Sequence, residues 1–526
     1  MKKTIYIILL AFASAALIFN SCSKDEMSQL YKDPSKSTTA SVENFLTGIL
    51  QTSNEVVLPW YWRFFVVEQP TLGLYTQSMG IFTGKDRYLP PAVATNWRWE
   101  QYYNGPLTQF RQMEDLYNKL PEASQNDYRI FMLAAKIFFY DQTQQMVDLF
   151  GDIPWSEAGK VRQSGALEAS LPKYDNAKEI YEAMLTDLKD IADELNSITV
   201  AAFYGGLFQT KDYLNNGDIS LWKKYCNSLR LRLLIRGSDV LESSFTGQIA
   251  TILADPSAYP VVTSNSDDIM LDAGGPDLYA TTSSQTGGIR EAMETWGQFD
   301  LAPYTYLKNM VDNSDPRLPA MFDPNLEGEY IGLNHMEDGT TQNTKVAAGM
   351  IARFDTASFT RNDYFPGMVI SAAEVSFMIA EAIHRGFASG NAKVAYETGV
   401  RQSIEFWYEV NSTGTYRTPL TPPTGDQIDT YLAEPGVSWD GNPDKMALIG
   451  TQKWLNTGLG QLTQTWSEVR RLNHPALTFL PDNESSQQLP PMRWLYPTSE
   501  KNLNDVNYAT VADKDKLDTK IFWDVN

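Results

Sequence analysis

The sequence is poor in the residues that most often carry catalysis or form cross-links. Only two of its 526 residues are cysteines, Cys22 and Cys226, and only three are histidines. Cys22 belongs to the N-terminal leader, so Cys226 has no disulfide partner and is expected to be a small buried hydrophobe. The three histidines, His335, His384 and His474, are far apart, and no His-Glu-x-x-His, Gly-x-Ser-x-Gly or phosphate-loop motif is present. We therefore predict neither a cofactor nor a metal site.

Positively charged residues are also scarce. Lysine and arginine together number 43 against 64 acidic residues, which gives a net charge of −21. Binding to a phosphate backbone needs a basic surface, so the composition argues against a nucleic-acid partner and favours a neutral ligand or a position on a cell surface. The 64 acids leave one enzymatic alternative open, because they could supply the two carboxylates of a glycosidase.

Hydrophobic and aromatic residues are plentiful by contrast. Hydrophobic residues make up 43% of the chain and charged residues 20%, which is typical of a folded globular protein. Aromatic residues reach 12%, with 13 tryptophans and 27 tyrosines. Their rings could stack on the flat faces of sugars, although most of them are expected to make core contacts.

Long apolar runs are lacking except at the N-terminus. Lys2 and Lys3 precede an apolar run from Ile5 to Phe19, which is shorter than the about 20 residues that a membrane-spanning helix needs. A basic start, a short apolar run and a small residue before a cleavage point indicate a secretory signal peptide. We predict that residues 1–21 are this signal.

The residue after the signal is Cys22, and Phe19-Asn20-Ser21-Cys22 resembles the lipobox of bacterial lipoproteins. The resemblance implies that the Cys22 thiol is lipidated, and its acyl chains would hold the protein on a membrane. Lys24-Asp25-Glu26 is similar to the acidic signal that directs Bacteroidetes lipoproteins to the outer face of the outer membrane. Residues 22–40 are polar and are expected to form a flexible tether. An ordinary cleaved signal is the alternative.

Helical periodicity covers most of residues 41–244 and returns over residues 370–475. Its clearest examples are Tyr128–Phe150 and Asn176–Leu195, in which apolar residues recur every three or four positions. A helix is also predicted over Asn96–Leu120, where Gly105-Pro106 must break or kink it.

Two pairs in the second helical region, Ser371 with Glu374 and Thr465 with Glu468, have the spacing of a capping box and so predict a helix start. Residues 245–369 and 476–526 are rich in turn-forming residues and have little helical period. Irregular stretches of this length tend to carry binding surfaces.

Six stretches of the mature chain, in order, resemble the SusD/RagB family of nutrient-binding outer-membrane lipoproteins of Bacteroidetes. They are Phe150-Gly151-Asp152-Ile153-Pro154-Trp155-Ser156-Glu157-Ala158, Pro172-Lys173-Tyr174-Asp175, Asp315-Pro316-Arg317-Leu318-Pro319, Ser371-Ala372-Ala373-Glu374-Val375-Ser376-Phe377-Met378-Ile379-Ala380-Glu381-Ala382, Trp466-Ser467-Glu468-Val469-Arg470-Arg471 and Arg493-Trp494-Leu495-Tyr496-Pro497. With the lipobox before them, these stretches identify the chain as a member of that family.

The resemblance implies a mostly α fold in which four tetratricopeptide-like helix pairs form a scaffold and long irregular segments pack on one side. Residues 41–526 would be a single domain. The implied function is non-catalytic capture of an oligosaccharide, or in some members a peptide, at the cell surface. The implied partner is a SusC-like TonB-dependent transporter of the outer membrane. A surface glycoside hydrolase and a pure protein-interaction scaffold are the other hypotheses.

A sugar-binding surface needs aromatic rings for stacking and a few well-placed polar groups. Two stretches outside the clear helices offer that mixture. The candidate ligand residues of the first are Tyr75, Gln77, Asp86, Arg87 and Tyr88, and those of the second, within Tyr279–Phe299, are Tyr279, Trp296 and Gln298. The choice depends on composition and loop position, and loop packing is the alternative for each residue.

Overall fold

The computed structural model of the protein describes residues 40–165, 170–273, 289–295 and 300–526. The predicted signal peptide, Cys22 and almost all of the tether lie outside the described residues. So do three candidate ligand residues, Tyr279, Trp296 and Gln298.

Helices account for most of the described chain, which confirms the predicted mostly α fold. Up to residue 254 they are α1 (Val42–Thr52), α2 (Asn54–Val57), α3 (Ala92–Tyr102), α4 (Thr108–Asn118), α5 (Glu122–Phe150), α6 (Val161–Ser164), α7 (Ala177–Ser197), α8 (Ala202–Lys211), α9 (Ile219–Arg236) and α10 (Ser243–Ala254). The middle of the chain contributes α11 (Tyr304–Asp312), α12 (Leu318–Met321) and α13 (Gly339–Ala347). The last group is α14 (Ala372–His384), α15 (Ala392–Thr413), α16 (Gly425–Leu432), α17 (Lys445–Thr457), α18 (Leu462–Leu472), α19 (Thr498–Leu503) and α20 (Asp505–Tyr508).

Short strands and wider helical turns connect these helices. In the part of the chain that the structure describes, antiparallel two-stranded ladders join β1 (Ile153–Pro154) to β2 (Tyr174–Asp175), β3 (Ile269–Leu271) to β6 (Gly367–Ile370) and β4 (Phe322–Asp323) to β5 (Arg353–Phe354). Among the described residues, π-helical segments occur at Trp62–Gly73, Tyr103–Leu107, Glu291–Thr295 and Thr356–Thr360, and a 3-10 turn occurs at Asn265–Asp267. The β1–β2 ladder brings together two of the stretches that carry the family resemblance.

The scaffold is built from helices that pack in pairs. The most extensive helix contacts join α14 to α15, α7 to α9, α17 to α18, and α1 to α4 and α5. The long helix α5 is buried on nearly all sides from Ile130 to Phe150. In α7 the predicted apolar stripe is buried, and the helix starts at Asn176, whose side chain accepts hydrogen bonds from the N–H groups of Lys178 and Glu179.

The predicted interruption of the helix over Asn96–Leu120 is confirmed. Gly105, with φ −95° and ψ −110°, is non-helical, and the chain passes from α3 through the π-helical segment Tyr103–Leu107 into α4. The cause is Pro106, which has no N–H to continue the hydrogen-bond ladder and whose ring crowds the preceding turn. The π-helical segment Trp62–Gly73, which contains Pro70, was not predicted from periodicity.

The capping-box prediction at Ser371 is half right. The Ser371 hydroxyl accepts a hydrogen bond of 3.3 Å from the Glu374 N–H, so α14 does begin there. The Glu374 carboxylate does not return to the cap, because it accepts two hydrogen bonds from Arg232, at 2.7 and 2.8 Å. A buried guanidinium competes successfully with a backbone amide for the carboxylate.

The second capping-box prediction, Thr465 with Glu468, is wrong. Both residues lie inside α18, which begins at Leu462. The Thr465 hydroxyl donates to the Gln461 carbonyl at 3.1 Å, and Glu468 pairs with Arg471 at 2.7 Å. Residues three apart face each other anywhere on a helix, so the spacing alone does not locate a helix start.

A network of buried charges joins α5, α9, α14, α17 and α18. Its carboxylates are Asp141, Asp148, Glu374, Glu381 and Glu468, and its cations are Arg232, Arg236, Lys453 and Arg471. Arg236 illustrates the pattern, because it donates to Asp148 at 2.5 Å on α5 and lies 3.0 Å from Glu468 on α18. The network ties together helices that are distant in sequence.

The C-terminal residues lie against α5 and the residues just after it. The Trp494 N–H donates to the Leu149 carbonyl at 2.8 Å, and the Tyr496 hydroxyl donates to the Asp152 carbonyl at 2.6 Å. Further on, the indole N–H of Trp523 donates to the buried Asp148 carboxylate at 2.9 Å. The tail therefore completes the core.

Candidate functional site

The first predicted ligand loop lies within residues 74–91 and is hydrogen-bonded to residues 478–480. The Gln77 amide donates to the Thr478 carbonyl at 2.6 Å. Arg87 and Tyr88 both donate to the Leu480 carbonyl, at 2.5 and 3.0 Å. The loop is thereby held against residues 478–480, which belong to one of the two irregular segments.

The five candidate residues of this loop differ in exposure. Tyr75, Gln77 and Tyr88 are buried, Arg87 is half-buried, and Asp86 is exposed on a turn with φ +60°. Burial raises the pKa of the Tyr75 hydroxyl well above its usual range. The buried members shape the loop, and Asp86 and Arg87 are the two that a ligand could reach directly.

Tyr75 also lines a cavity of about 200 Å³. The remaining walls come from α18 and the tail and include Trp466, Phe479 and Pro491. The Tyr75 and Trp466 ring centroids are 5.6 Å apart. Small-molecule pockets usually measure about 300–1,000 Å³, so this cavity would take only part of a ligand.

The first predicted loop contacts residues 301–305. The Gly80 N–H donates to the Leu301 carbonyl at 3.2 Å, and the Thr305 hydroxyl donates to the Gln77 side-chain oxygen. A Cβ on residue 80 would lie 2.4 Å from the Leu301 oxygen, so this close approach requires a glycine. Residues 301–305 follow the second candidate stretch directly in the chain.

The loop also contacts α13 and the turn before it. The Thr83 N–H donates to the Gln342 side chain at 2.7 Å, and the Thr83 hydroxyl donates to the His335 carbonyl at 3.3 Å. The His335 ring nitrogen Nε2 lies 2.8 Å from the Thr478 oxygen. Hydrogen bonds therefore join segments from four parts of the chain, which we call the loop junction: residues 77–88, 301–305, 333–342 and 478–480.

The chain on either side of Trp296 and Gln298 is anchored by arginines. Glu294 accepts two hydrogen bonds from Arg361, a 2.9 Å bond from Nε and a 2.6 Å bond from Nη2. Asp300 accepts a hydrogen bond from Arg353. Partial burial raises the pKa of Glu294, but hydrogen bonds from Arg361 and Thr360 outweigh it and hold that pKa below its usual range.

Sequence reasoning did not select the residues around these anchors. Arg361 lies over the ring of Tyr416, and Tyr364 is exposed close by in the chain. The only signal available was the position of Tyr416 in a polar stretch between α15 and Pro422. The exposure of its ring depends on tertiary packing, which the sequence does not display.

Glu381, one of the acids in the stretches that carry the family resemblance, is fully buried in the charge network. No substrate can reach it without unfolding α14. Among residues 40–165, 170–273, 289–295 and 300–526, no group of three or more His, Cys, Asp or Glu side chains is arranged to hold a metal ion. In the same ranges, every helix is too short or too polar to cross a bilayer.

Comparisons with known proteins agree with this architecture. A family described as SusD-like, starch-binding and associating with the outer membrane matches residues 49–497. A chitin-binding protein of known structure is similar at a TM-score of 0.72 and 23% identity, covering 92% of this chain and all of that one. No curated protein sequence matches the chain.

Two further solved structures are similar. A SusD homologue of Parabacteroides distasonis has a TM-score of 0.72 and 21% identity, with 93% of this chain and 98% of that chain covered. A chitin-binding SusD homologue of Flavobacterium johnsoniae has a TM-score of 0.70 and 20% identity, with coverages of 92% and 99%. At these identities the likeness shows the shared fold.

Proposed function

Because the chain belongs to the SusD-like family of starch-binding proteins that associate with the outer membrane, we propose that it captures oligosaccharides at the cell surface without cleaving them. The match over residues 49–497 is the observation that carries this proposal. The chitin-binding relatives support a polysaccharide as the source of the ligand.

The proposed ligand surface is the loop junction together with the adjoining residues 279–299. Asp86 and Arg87 are accessible polar groups there, and Tyr75, Gln77 and Tyr88 give the loop its shape. Trp296 and Tyr279 are proposed to supply stacking rings and Gln298 to hydrogen-bond sugar hydroxyls. The anchoring of Glu294 and Asp300 supports this assignment, because a rigid base lowers the entropic cost of holding a ligand.

Delivery to a membrane partner is the second part of the proposal. The lipidated Cys22 would hold the protein on the outer face of the outer membrane, and the tether would let it contact a SusC-like TonB-dependent transporter. The net charge of −21 supports a well-solvated protein in this position.

Calorimetry with soluble starch and chitin oligosaccharides tests the ligand class. The wild-type protein is expected to bind at least one of them, and Trp296→Ala to weaken binding about fivefold to tenfold, since a stacked ring contributes about 1 kcal/mol. Phe203→Ala, which removes an exposed ring from scaffold helix α8, is the control and should bind as the wild type does.

Three results would count against the proposal. Binding of peptides but of no oligosaccharide would identify the protein as a peptide-binding member of the family. Release of reducing sugars from the same oligosaccharides would support the hydrolase hypothesis. Unchanged affinity in Trp296→Ala would remove that residue from the site.

A further inference from the structure

We propose that Tyr364, Tyr416 and Arg361 form a further ligand-binding surface, the tyrosine patch, which stacks on uncharged sugar rings. This inference rests on the proposed oligosaccharide-binding function and adds residues and a ligand class to it. Glu294, which pairs with Arg361, lies two residues before Trp296 in the chain. The tyrosine patch would thus extend the proposed surface beyond the loop junction.

The two tyrosine rings are unusually exposed. Tyr416 is 53% exposed and Tyr364 48%, although most other tyrosines in the described ranges are buried or half-buried. An exposed ring leaves apolar area in contact with water, and a sugar can cover that area with its C–H face. Removing either ring should therefore change the free energy of unfolding little.

Arg361 holds one of these rings in position. Its guanidinium carbon lies 4.4 Å from the centroid of Tyr416, while Nε and Nη2 donate to the Glu294 carboxylate at 2.9 and 2.6 Å. The guanidinium is fixed at its edge by the carboxylate, and its face is attracted to the ring. The ring is therefore oriented before a ligand arrives.

The backbone beneath the tyrosine patch is also fixed. Asn362 accepts a hydrogen bond from the Tyr364 N–H at 2.9 Å and donates to the Val410 carbonyl at 3.0 Å, which joins the segment of Tyr364 to the end of α15. Just beyond, a Cβ on Gly414 would lie 2.1 Å from the Ala357 oxygen, so the start of the Tyr416 loop is packed directly on the neighbouring backbone.

The charges around the tyrosine patch indicate the class of sugar. Each arginine here has an acidic partner, and the pairs or groups are Arg290 and Arg361 with Glu294, Arg353 with Asp300, and Arg417 with Asp323 and Asp355. These four positive charges face four negative ones, and the exposed Asp363 next to Tyr364 adds a fifth negative charge. A surface with no net positive charge on a strongly acidic protein offers no attraction to uronic or sulfated sugars.

The test uses Tyr416→Ala, Tyr364→Ala and the double variant of the full mature chain, with Phe203→Ala as a matched exposed-ring control. The probes are starch and chitin oligosaccharides and, for comparison, oligogalacturonate. Affinity for the neutral probes should fall about fivefold in each single variant and about 20-fold or more in the double variant. The melting temperature should stay at the wild-type value in all four proteins.

The possible failures are distinguishable. Wild-type affinity in the double variant, with Trp296→Ala weakened, would overturn the tyrosine patch and leave the proposed function standing. Tighter binding of oligogalacturonate than of the neutral probes would overturn the ligand class. A wild-type protein that binds none of the probes would overturn the patch together with the proposed function.

Discussion

Arg471 on α18 and Glu381 on α14 form two parallel hydrogen bonds, Nη1 to Oε1 at 2.6 Å and Nη2 to Oε2 at 2.7 Å, in a place from which water is excluded. Lys453 on α17 contributes a third hydrogen bond to Glu381, at 3.0 Å. This carboxylate therefore links three helices of the second helical region. Bidentate geometry is the arrangement in which a buried ion pair best offsets its loss of hydration.

Glu381→Gln should destabilise the protein strongly. The amide cannot balance the charge of Arg471, and removing one partner of a buried pair costs about 3–5 kcal/mol. Urea unfolding followed by circular dichroism measures this as a lower midpoint. Glu397→Gln, which removes the charge of a half-buried acid 3.8 Å from Lys393 at the surface of α15, is the control and should change stability by no more than about 0.5 kcal/mol. Equal midpoints for the two variants would show that the network does not stabilise the fold.

The same carboxylate should make the protein sensitive to acid. Burial raises the pKa of Glu381, but Arg471 and Lys453 outweigh it and lower that pKa from 4.5 to about 2. A lowered folded-state pKa gives stability that is fully present above pH 4.5 and is lost as the pH falls toward 2. Thermal unfolding between pH 5 and pH 2 should show a steeper loss for the wild type than for Glu381→Gln.

Asp268 should give stability a pH dependence opposite to that of Glu381. Its Oδ1 accepts a hydrogen bond of 2.6 Å from the Ala372 N–H, whereas Oδ2 is buried and has no partner among the described residues. Burial raises the pKa of Asp268 from 3.8 to about 8. Its contribution to stability is therefore present below pH 3.8 and is lost as the pH rises through 8.

Asp268→Asn keeps the acceptor for Ala372 and removes the charge. The variant should be more stable than the wild type at pH 9, and its advantage should disappear at pH 4. Differential scanning calorimetry at the two pH values measures the change. Asp338→Asn is the control, because that exposed carboxylate caps α13 and asparagine caps a helix equally well. A gain of the same size at both pH values would contradict the assignment.

Cys226 should be unreactive in the folded protein. Burial raises the pKa of its thiol to about 12, and Sγ lies 3.4 Å from the Leu188 carbonyl. Since the thiolate is the reactive form, an aromatic disulfide reagent at pH 8 should label no thiol in a Cys22→Ala protein until urea is added. One equivalent should then react. Rapid labelling without urea would show that α9 opens readily.

Cys22→Ala also tests the anchor. Without the thiol there is no acylation site, so the protein should be recovered in a soluble fraction or held at the inner membrane. Surface proteolysis of intact cells, followed by detection of the protein, distinguishes these locations from the outer face. Surface retention of the variant would contradict the lipobox interpretation. Gel mobility and mass of the mature wild-type N-terminus provide the positive control.

The fold was predictable where one periodic pattern determined burial. The stripe of α7 and the interruption at Gly105-Pro106 depend on local spacing and backbone chemistry, and both predictions are confirmed. The capping-box prediction for Thr465 and Glu468 failed because residues three positions apart lie on the same face anywhere in a helix. Local sequence also gave no sign that Glu374 would pair with Arg232, which is 142 positions away.

The candidate site was less predictable because loop composition does not reveal which way a side chain faces. Tyr75 and Tyr88 were selected as aromatic residues outside the clear helices, and both are buried against α18 or the tail. Tyr416 has the same chemistry, but its exposure follows from the packing of Gly414 and Arg361. Contacts of that kind are set by the assembled fold.

The attachment of the tail to α5 has a consequence for biogenesis. Leu149 and Asp148 are synthesised hundreds of residues before their hydrogen-bond partners Trp494 and Trp523, and the second pair is 375 positions apart. A chain interrupted before residue 494 would leave the flank of a long apolar helix uncovered, and such surfaces aggregate or are degraded. The flank of α5 is therefore covered only after residues 494–523 have been synthesised.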